Sequence, residues 1–504
     1  MQTKKKYPIS RRNFIKVSAA TTAGVSMFPF GSCNKDNQYE IPAGVNPAIW
    51  PEVSKIPFID THEHIIDESI RLGNGENFLQ ADDWTVLFGH YFHHDFVSSG
   101  MPLDIYRQLF SSKVGPLKKW GLLEPYWDNV KHTSYGLSVR HTLRLLYGIG
   151  EINKESIAVL QERYNELKKP GFYKYVLHDV ANIESCQVNT LWDKPVNETE
   201  SPLLLMQDIG ISGMFSAFSW SKDVGPQIKL LSGPAKIKVK TLKDWYRVVD
   251  WWFEKYGKYA VAAKSVNAYR RNIDYDRVGF DEASPIFSKR VNNPVLNEEE
   301  EKKLEDHLFW YTTQVAADHT LPIKVHTGYY SGYDYMHLTN VSQNPAYAAE
   351  MCLHGRAGGR KFVFLHIAYP YQDEMVAVAK HYSNAYVDLA WAWIIDHVAT
   401  RQFLKQYLTA APVNKIFCFG GDYIPVELTV GHAYVARLGI SQVLTELVDE
   451  GYYSEEEAIE VAWKIMYKNA REFYRLDEKE KLLKDVKWGA SDYAKKRENP
   501  WKKY

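Results

Sequence analysis

The chain has 504 residues, enough for one large α/β barrel with insertions or for about three ordinary domains. Hydrophobic residues make up 45% and charged residues 24%, which excludes a disordered chain and a multi-span membrane protein. Lys+Arg and Asp+Glu both number 61, but residues 1–32 hold six basic groups and no acid, so the remainder carries 55 against 61, or about −6. Such a body has no electrostatic footprint for nucleic acid, and none is expected as a partner.

Ser10-Arg11-Arg12-Asn13-Phe14-Ile15-Lys16 leads into a small, apolar run from Val17 to Phe30. A charged region followed by a stretch too short to span a bilayer comfortably reads as a targeting segment. The paired arginines resemble a twin-arginine (Tat) export signal, and Phe30-Gly31-Ser32-Cys33 resembles a bacterial lipoprotein box with Cys33 as the lipidated residue. Residues 1–32 are therefore expected to be a signal peptide and 33–53 a linker. The protein is expected to be exported to the periplasm of a bacterium, meeting a membrane only through that lipid. Cys186, Cys352 and Cys418 lie in apolar stretches without metal-ligand spacing, and are expected in the core rather than in disulfides.

Eight short β-like runs follow: Pro57–Thr61, Ile183–Leu191, Gly213–Ser219, Tyr259–Val266, Pro322–His326, Phe362–His366, Ala385–Leu389 and Lys415–Gly420. Between them lie amphipathic stretches such as Leu242–Tyr256, Glu298–His319, Asp373–Tyr382 and His397–Leu408. Strands alternating with helices predict parallel βαβ units, and eight of them an α/β fold of the closed (β/α)8 TIM-barrel type. Residues 67–182 are too long for a loop; Leu137–Tyr147 and Lys154–Lys168 predict a helical insertion after strand one, over the barrel mouth. Residues 54–476 are expected to form the barrel with its C-terminal helices, and 477–504 a tail. The 15 Trp and 34 Tyr fit a large core, or stacking faces for a sugar or aromatic ligand.

Strand one ends in Asp60-Thr61-His62-Glu63-His64. Side chains two apart on a strand share a face, so His62 and His64 can share one ion. His326, His366 and Asp422 each close another apolar strand at its C-terminal end, where barrel active sites are built. Packing does not explain five such residues on four strands; a divalent metal site does, zinc being the expected ion, one or two per chain.

This constellation resembles the amidohydrolase superfamily, over roughly residues 54–475. From 322 to 476 the motifs Val325-His326-Thr327-Gly328, Asn344-Pro345-Ala346, Leu365-His366-Ile367-Ala368-Tyr369-Pro370, Tyr386-Val387-Asp388-Leu389 and Gly421-Asp422 resemble its amidohydrolase-2 branch. That branch includes amidohydrolase domains linked to glutamine-synthetase-like enzymes; decarboxylases and uronate isomerases are relatives. The resemblance implies that His62, His64 and Asp422 bind metal, and that His326 and His366 are ligands or contact substrate. Asp422 would also take the proton of a metal-activated water, with His366 or His326 polarising a carbonyl.

Lys264 ends Tyr259-Ala260-Val261-Ala262-Ala263-Lys264, where binuclear members carry a carboxylated lysine bridging two ions. The run through Ser265, Tyr269 and Arg270 resembles the branch's own pattern and favours Lys264 and Arg270 as carboxylate-binding residues. In the insertion, His90-Tyr91-Phe92-His93-His94-Asp95 resembles a segment where uronate isomerases bind substrate, making His93 and His94 candidates. His94 and Val97 stand where arginines are expected. Tyr329, Tyr330, Tyr333 and Tyr335 are candidate pocket walls. The expected reaction is metal-dependent hydrolysis of a C–N or C–O bond in a small-molecule substrate. The alternatives are a lyase, decarboxylase or uronate-isomerase-like enzyme on the same site, or a binding-only lipoprotein. The oligomeric state stays open.

Overall fold

The computed structural model describes residues 40–73, 82–190, 194–219, 223–331 and 337–489. The signal segment, Cys33, Tyr333 and Tyr335 lie outside them. Buried runs of Val, Ile, Leu and Phe form parallel strands because helices cover one face and side chains fill the other. They are β1 (Phe58–Glu63), β2 (Ile183–Val188), β3 (Leu205–Gln207), β4 (Ile209–Gly210), β5 (Ala263–Ser265), β6 (Ile323–His326), β7 (Phe362–Leu365), β8 (Ala385–Asp388) and β9 (Ile416–Phe417). They pair in parallel as β1-β2-β3 and β4-β5-β6-β7-β8-β9. β3 and β4 form one stave bent at Asp208, whose N–H donates to Val188 O. At the other seam Thr61 N–H donates to Phe419 O, and His64 N–H to Tyr423 O. The eight staves thus close into the (β/α)8 barrel.

One strand lies elsewhere than expected. Ser212–Ser216, overlapping the run Gly213–Ser219, is helical, and the third stave is Leu205–Gly210 instead. A buried parallel strand shows no alternation, so Leu203-Leu204-Leu205-Met206 carried the relevant signal. Helices occupy Leu242–Tyr256, Glu298–Asp318, Gln372–His381 and His397–Ala410, near their expected bounds.

The insertion packs as part of the body. Its helix Ser134–Tyr147 crosses the buried helix Thr429–Asp449 so closely that a Cβ on Gly431 would lie 1.8 Å from Ser138 O. Arg71, at the insertion's start, is buried with Glu427 at 2.7 Å and Tyr164 at 2.8 Å. At the opposite end of the barrel, Tyr474, Leu476 and Leu483 join Ile59, Met206, Val261 and Phe417 in one apolar cluster. The last helix, Leu476–Leu483, therefore carries core residues beyond 476. Within the expected linker, Ile49, Trp50 and Val53 are buried. Cys186, Cys352 and Cys418 are buried and free. Among the described residues no helix is long and apolar enough to cross a membrane.

The barrel interior holds a charge that the alternation of β6 predicts. Lys324 lies two residues before His326 on the same face, wholly buried. Its Nζ donates to Asp208 Oδ2 at 2.8 Å, to Gln187 Oε1 at 2.7 Å and to Thr61 O at 2.7 Å. Removing one partner of a buried pair strands the other. Lys324→Met is expected to cost about 3–5 kcal/mol of stability by leaving Asp208 uncompensated. Urea unfolding checks this; a loss under about 1 kcal/mol, as for an exposed pair, contradicts it.

Candidate metal centre

β1 turns inward at its C-terminal end with His62 and His64, and the segment after β9 brings Asp422 across the seam, its N–H donating to His62 O at 2.9 Å. All three are buried, and one ligand atom from each lies within 4.8 Å of the others. Asp422 Oδ1 stands 3.1 Å from His62 Nε2 and 3.0 Å from His64 Nε2, while its Oδ2 stands 3.7 Å from His366 Nε2.

The tautomers follow from the remaining ring nitrogens. His64 Nδ1–H donates to Asn189 O at 3.1 Å, and His366 Nδ1–H to Ala390 O at 2.7 Å. Each ring therefore turns a lone pair at Nε2 towards the carboxylate. Lone pairs facing a carboxylate oxygen at 3.0 Å in a buried site repel unless a cation or a proton lies between them. Burial holds His62 well below its ordinary pKa and His366 at about 4, so the rings resist protonation. Burial alone would raise Asp422, but positive charge and hydrogen-bond donors at the positions of His62, His64 and His366 pull it well below the usual carboxylate range; with the rings neutral, a bound cation supplies that charge. Neutral imidazoles against an ionised carboxylate fit a divalent cation.

His326 is one ring further out. Its Nε2–H donates to Tyr329 O at 3.0 Å, and its ring centroid lies 4.5 Å from that of His366. The structure brings it beside the cluster, not into it. With their N–H groups committed to backbone carbonyls, neither His326 nor His366 is set to donate to a substrate carbonyl as expected. Lys264 is buried at the end of β5, and its Nζ makes no hydrogen bond among the described residues. Burial lowers it to about 7, against the pull of Asp422. Tyr269 packs 4.5 Å from His326 and Arg270 beyond it is exposed.

The insertion supplies the facing wall. His93 Nδ1–H donates to His90 O at 2.8 Å, and His94 meets Tyr329 edge-on at 5.7 Å. Two residues that the sequence reading passed over lie closer to the chemistry. Tyr91, buried, lies near enough to the Asp422 carboxylate for that charge, with burial, to push its hydroxyl pKa up, and it stacks on Trp391 at 4.2 Å. Trp391 stands edge-on to His366 at 5.3 Å. The signal for Tyr91 was its place within the His90–Asp95 segment; for Trp391 it was an aromatic residue three positions past a barrel strand. His90, His366, Trp391 and Asp422 all have left-handed backbones, with φ of 57°, 65°, 64° and 60°. Such strain in non-glycine residues, about 1–3 kcal/mol each, gathers at functional sites.

A closed parallel barrel with two histidines and an aspartate at its mouth defines a class, the metal-dependent barrel enzymes. Within it, residues 294–476 match the family described as Amidohydrolase, and the resemblance read from the motifs is borne out. The matched stretch is the one that carries His326, His366 and Asp422. Glucuronate isomerase of Caulobacter crescentus superposes with a TM-score of 0.67 at 16% identity, covering 88% of this chain and 97% of that one. Uronate isomerase of Thermotoga maritima gives 0.66 at 14%, over 86% and 98%. A Lactobacillus casei protein described as a metal-dependent hydrolase gives 0.56 at 15%, over 85% and 97%. Protein fluG of Emericella nidulans is 27% identical over 233 residues, 43% of this chain and only 26% of that protein.

Titration with a divalent metal is expected to saturate at one ion per chain. His62→Ala or Asp422→Ala is expected to weaken binding beyond the roughly 10–100-fold seen when only an orienting group is lost. His326→Ala is expected to retain the ion. Calorimetry with Zn2+ or Co2+ checks this, and loss of the ion in His326→Ala makes His326 a ligand.

Proposed function

We propose that this chain is a hydrolase that uses a divalent metal, zinc in the first instance, to cleave a C–N or C–O bond in a small molecule. The observation that carries the reading is the ionised Asp422 carboxylate, which turns Oδ1 to the His62–His64 pair and Oδ2 towards His366. When bound, the metal lowers the pKa of a water towards about 7 and polarises the scissile group. His62, His64 and Asp422 hold it, and His366 presents a further lone pair. Asp422 accepts the water's proton and later returns it to the leaving group. Tyr91 lies beside that carboxylate, and Lys264 holds an ammonium or amine near it for a substrate's polar group. Tyr329, Tyr330 and Trp391 give ring faces that exclude water, with His94 at the rim and Arg270 outside for an acidic substituent. The resemblance of Ser10–Lys16 and Cys33 to export and lipidation motifs supports a site of action outside the cytoplasm, at the membrane or in the periplasm.

A second reading, uronate isomerisation, is favoured by two observations. The two isomerases superpose over nearly their whole length, and the buried Lys264, when protonated, can grip a carboxylate. Against it stand His94 and Val97, uncharged or weakly basic where arginines were expected.

Turnover of amides, esters and lactones in heavy-oxygen water is expected to leave one labelled oxygen in the product. Asp422→Asn is expected to lower kcat by about 10²–10⁴, the usual worth of a positioned acid–base group. Full activity of that variant overturns the role of Asp422. Consumption of a uronate without label incorporation transfers the site to the isomerase reading.

A further inference from the structure

Two buried acids on β1 take no part in the metal cluster yet touch both segments that build it. Asp60 Oδ1 accepts the N–H of His62 at 3.1 Å, and the Asp60 oxygens accept the N–H of Gly421 at 3.4 and 3.3 Å. Glu63 Oε2 accepts the N–H of Tyr423 at 2.6 Å. The two carboxyl groups lie within each other's electrostatic reach, and burial raises both. These donors are the main chain of one ligand residue and of both neighbours of another, Asp422. Approach at Gly421 is so close that a Cβ there would lie 1.8 Å from Glu63 Oε1.

A barrel seam does not need this. Adjacent strands satisfy their N–H groups with carbonyls, as Thr61 and His64 do across the same seam. Here two side chains wholly removed from water accept those bonds instead. Side-chain acceptors can hold a segment in a left-handed turn that a regular ladder cannot follow, and Asp422 has φ 60°. We propose that Asp60 and Glu63 are positioning residues that fix the separation of His62 from Asp422 and thereby set the affinity and geometry of the bound metal. The proposal rests on the metal reading of the His62–His64–Asp422 cluster.

The test is Co2+ binding to the purified full-length chain, followed by visible absorption and by competition with a chelator. Glu63→Ala is expected to weaken binding about 10–100-fold, as for other groups that orient ligands, and to shift the cobalt bands. Glu63→Gln keeps an acceptor for Tyr423 N–H, and is expected to bind and absorb like the parent. Gly421→Ala pushes Glu63 away from the other side and is expected to weaken binding similarly. The double variant Glu63→Ala/Gly421→Ala is expected to be no weaker than Glu63→Ala alone, because the new methyl then has room. This non-additivity is the mark of one shared contact. Parent-like affinity and spectrum in Glu63→Ala, or losses that add in the double variant, overturn the proposal while leaving the metal centre intact. A parent chain that binds no Co2+ overturns the metal reading and this proposal with it. Should Glu63→Ala fail to fold, Gly421→Ala against Glu63→Gln decides the same question.

Discussion

The arrangement at the barrel mouth turns on acceptors forced together. Two imidazole nitrogens and a carboxylate oxygen converge at 3.0–3.1 Å in a site closed to water. Asn189 and Ala390 receive the N–H groups of His64 and His366, so those rings cannot turn a donor to the carboxylate without losing a bond. A buried site cannot keep such groups apart by solvation. The convergence is held by the surrounding structure, and holding it explains features that otherwise look unfavourable. Left-handed backbone at His366 and Asp422 is one such feature.

Two buried lysines show how the interior separates structure from chemistry. Lys324 and Lys264 are paired in register on neighbouring strands. Lys324 finds an anion and two oxygens and serves to bind β6 to three other staves. Lys264 finds no hydrogen bond among the described residues, and burial brings it to about 7. Asp388, on the other side of the barrel, is raised by burial to about 7. A fold seeking only stability would give Lys264 a partner, as it gives Lys324 one. A buried amine brought to about 7 beside the His62–His64–Asp422 cluster is the kind of perturbed group that gathers at functional sites.

How much of this was legible depended on where each signal lay. His62, His64, His326, His366 and Asp422 could be read because each ends an apolar strand, and the end of a barrel strand is a place defined by local pattern. The third stave was misplaced because Leu203–Met206 and Gly213–Ser219 are both short apolar runs, and periodicity cannot separate a buried strand from a buried helix. That error also hid Asp208, the partner of Lys324, since it lies at the bend of the misplaced stave. Trp391 and Tyr91 carried only faint signals, for another reason. Their roles come from a stacking contact between residues 300 positions apart in the chain, and from a left-handed turn at Trp391 that no residue preference announces. The separation of His326 from the cluster was equally invisible: it follows from one hydrogen bond to Tyr329 O.

The closeness of Tyr91 to Asp422 bears on how such a barrel acquires its specificity. Barrel strands supply the metal ligands, and that set is compatible with hydrolysis, isomerisation or elimination. A lid that merely covered the mouth could vary without touching the ligands. Here the insertion reaches the ligand carboxylate itself through Tyr91, while the same segment places His94 against the Tyr329 wall. Its base is tied to the segment after β9 by Arg71 and Glu427, both buried. The His90–Asp95 segment thus borders both the Asp422 carboxylate and the aromatic wall.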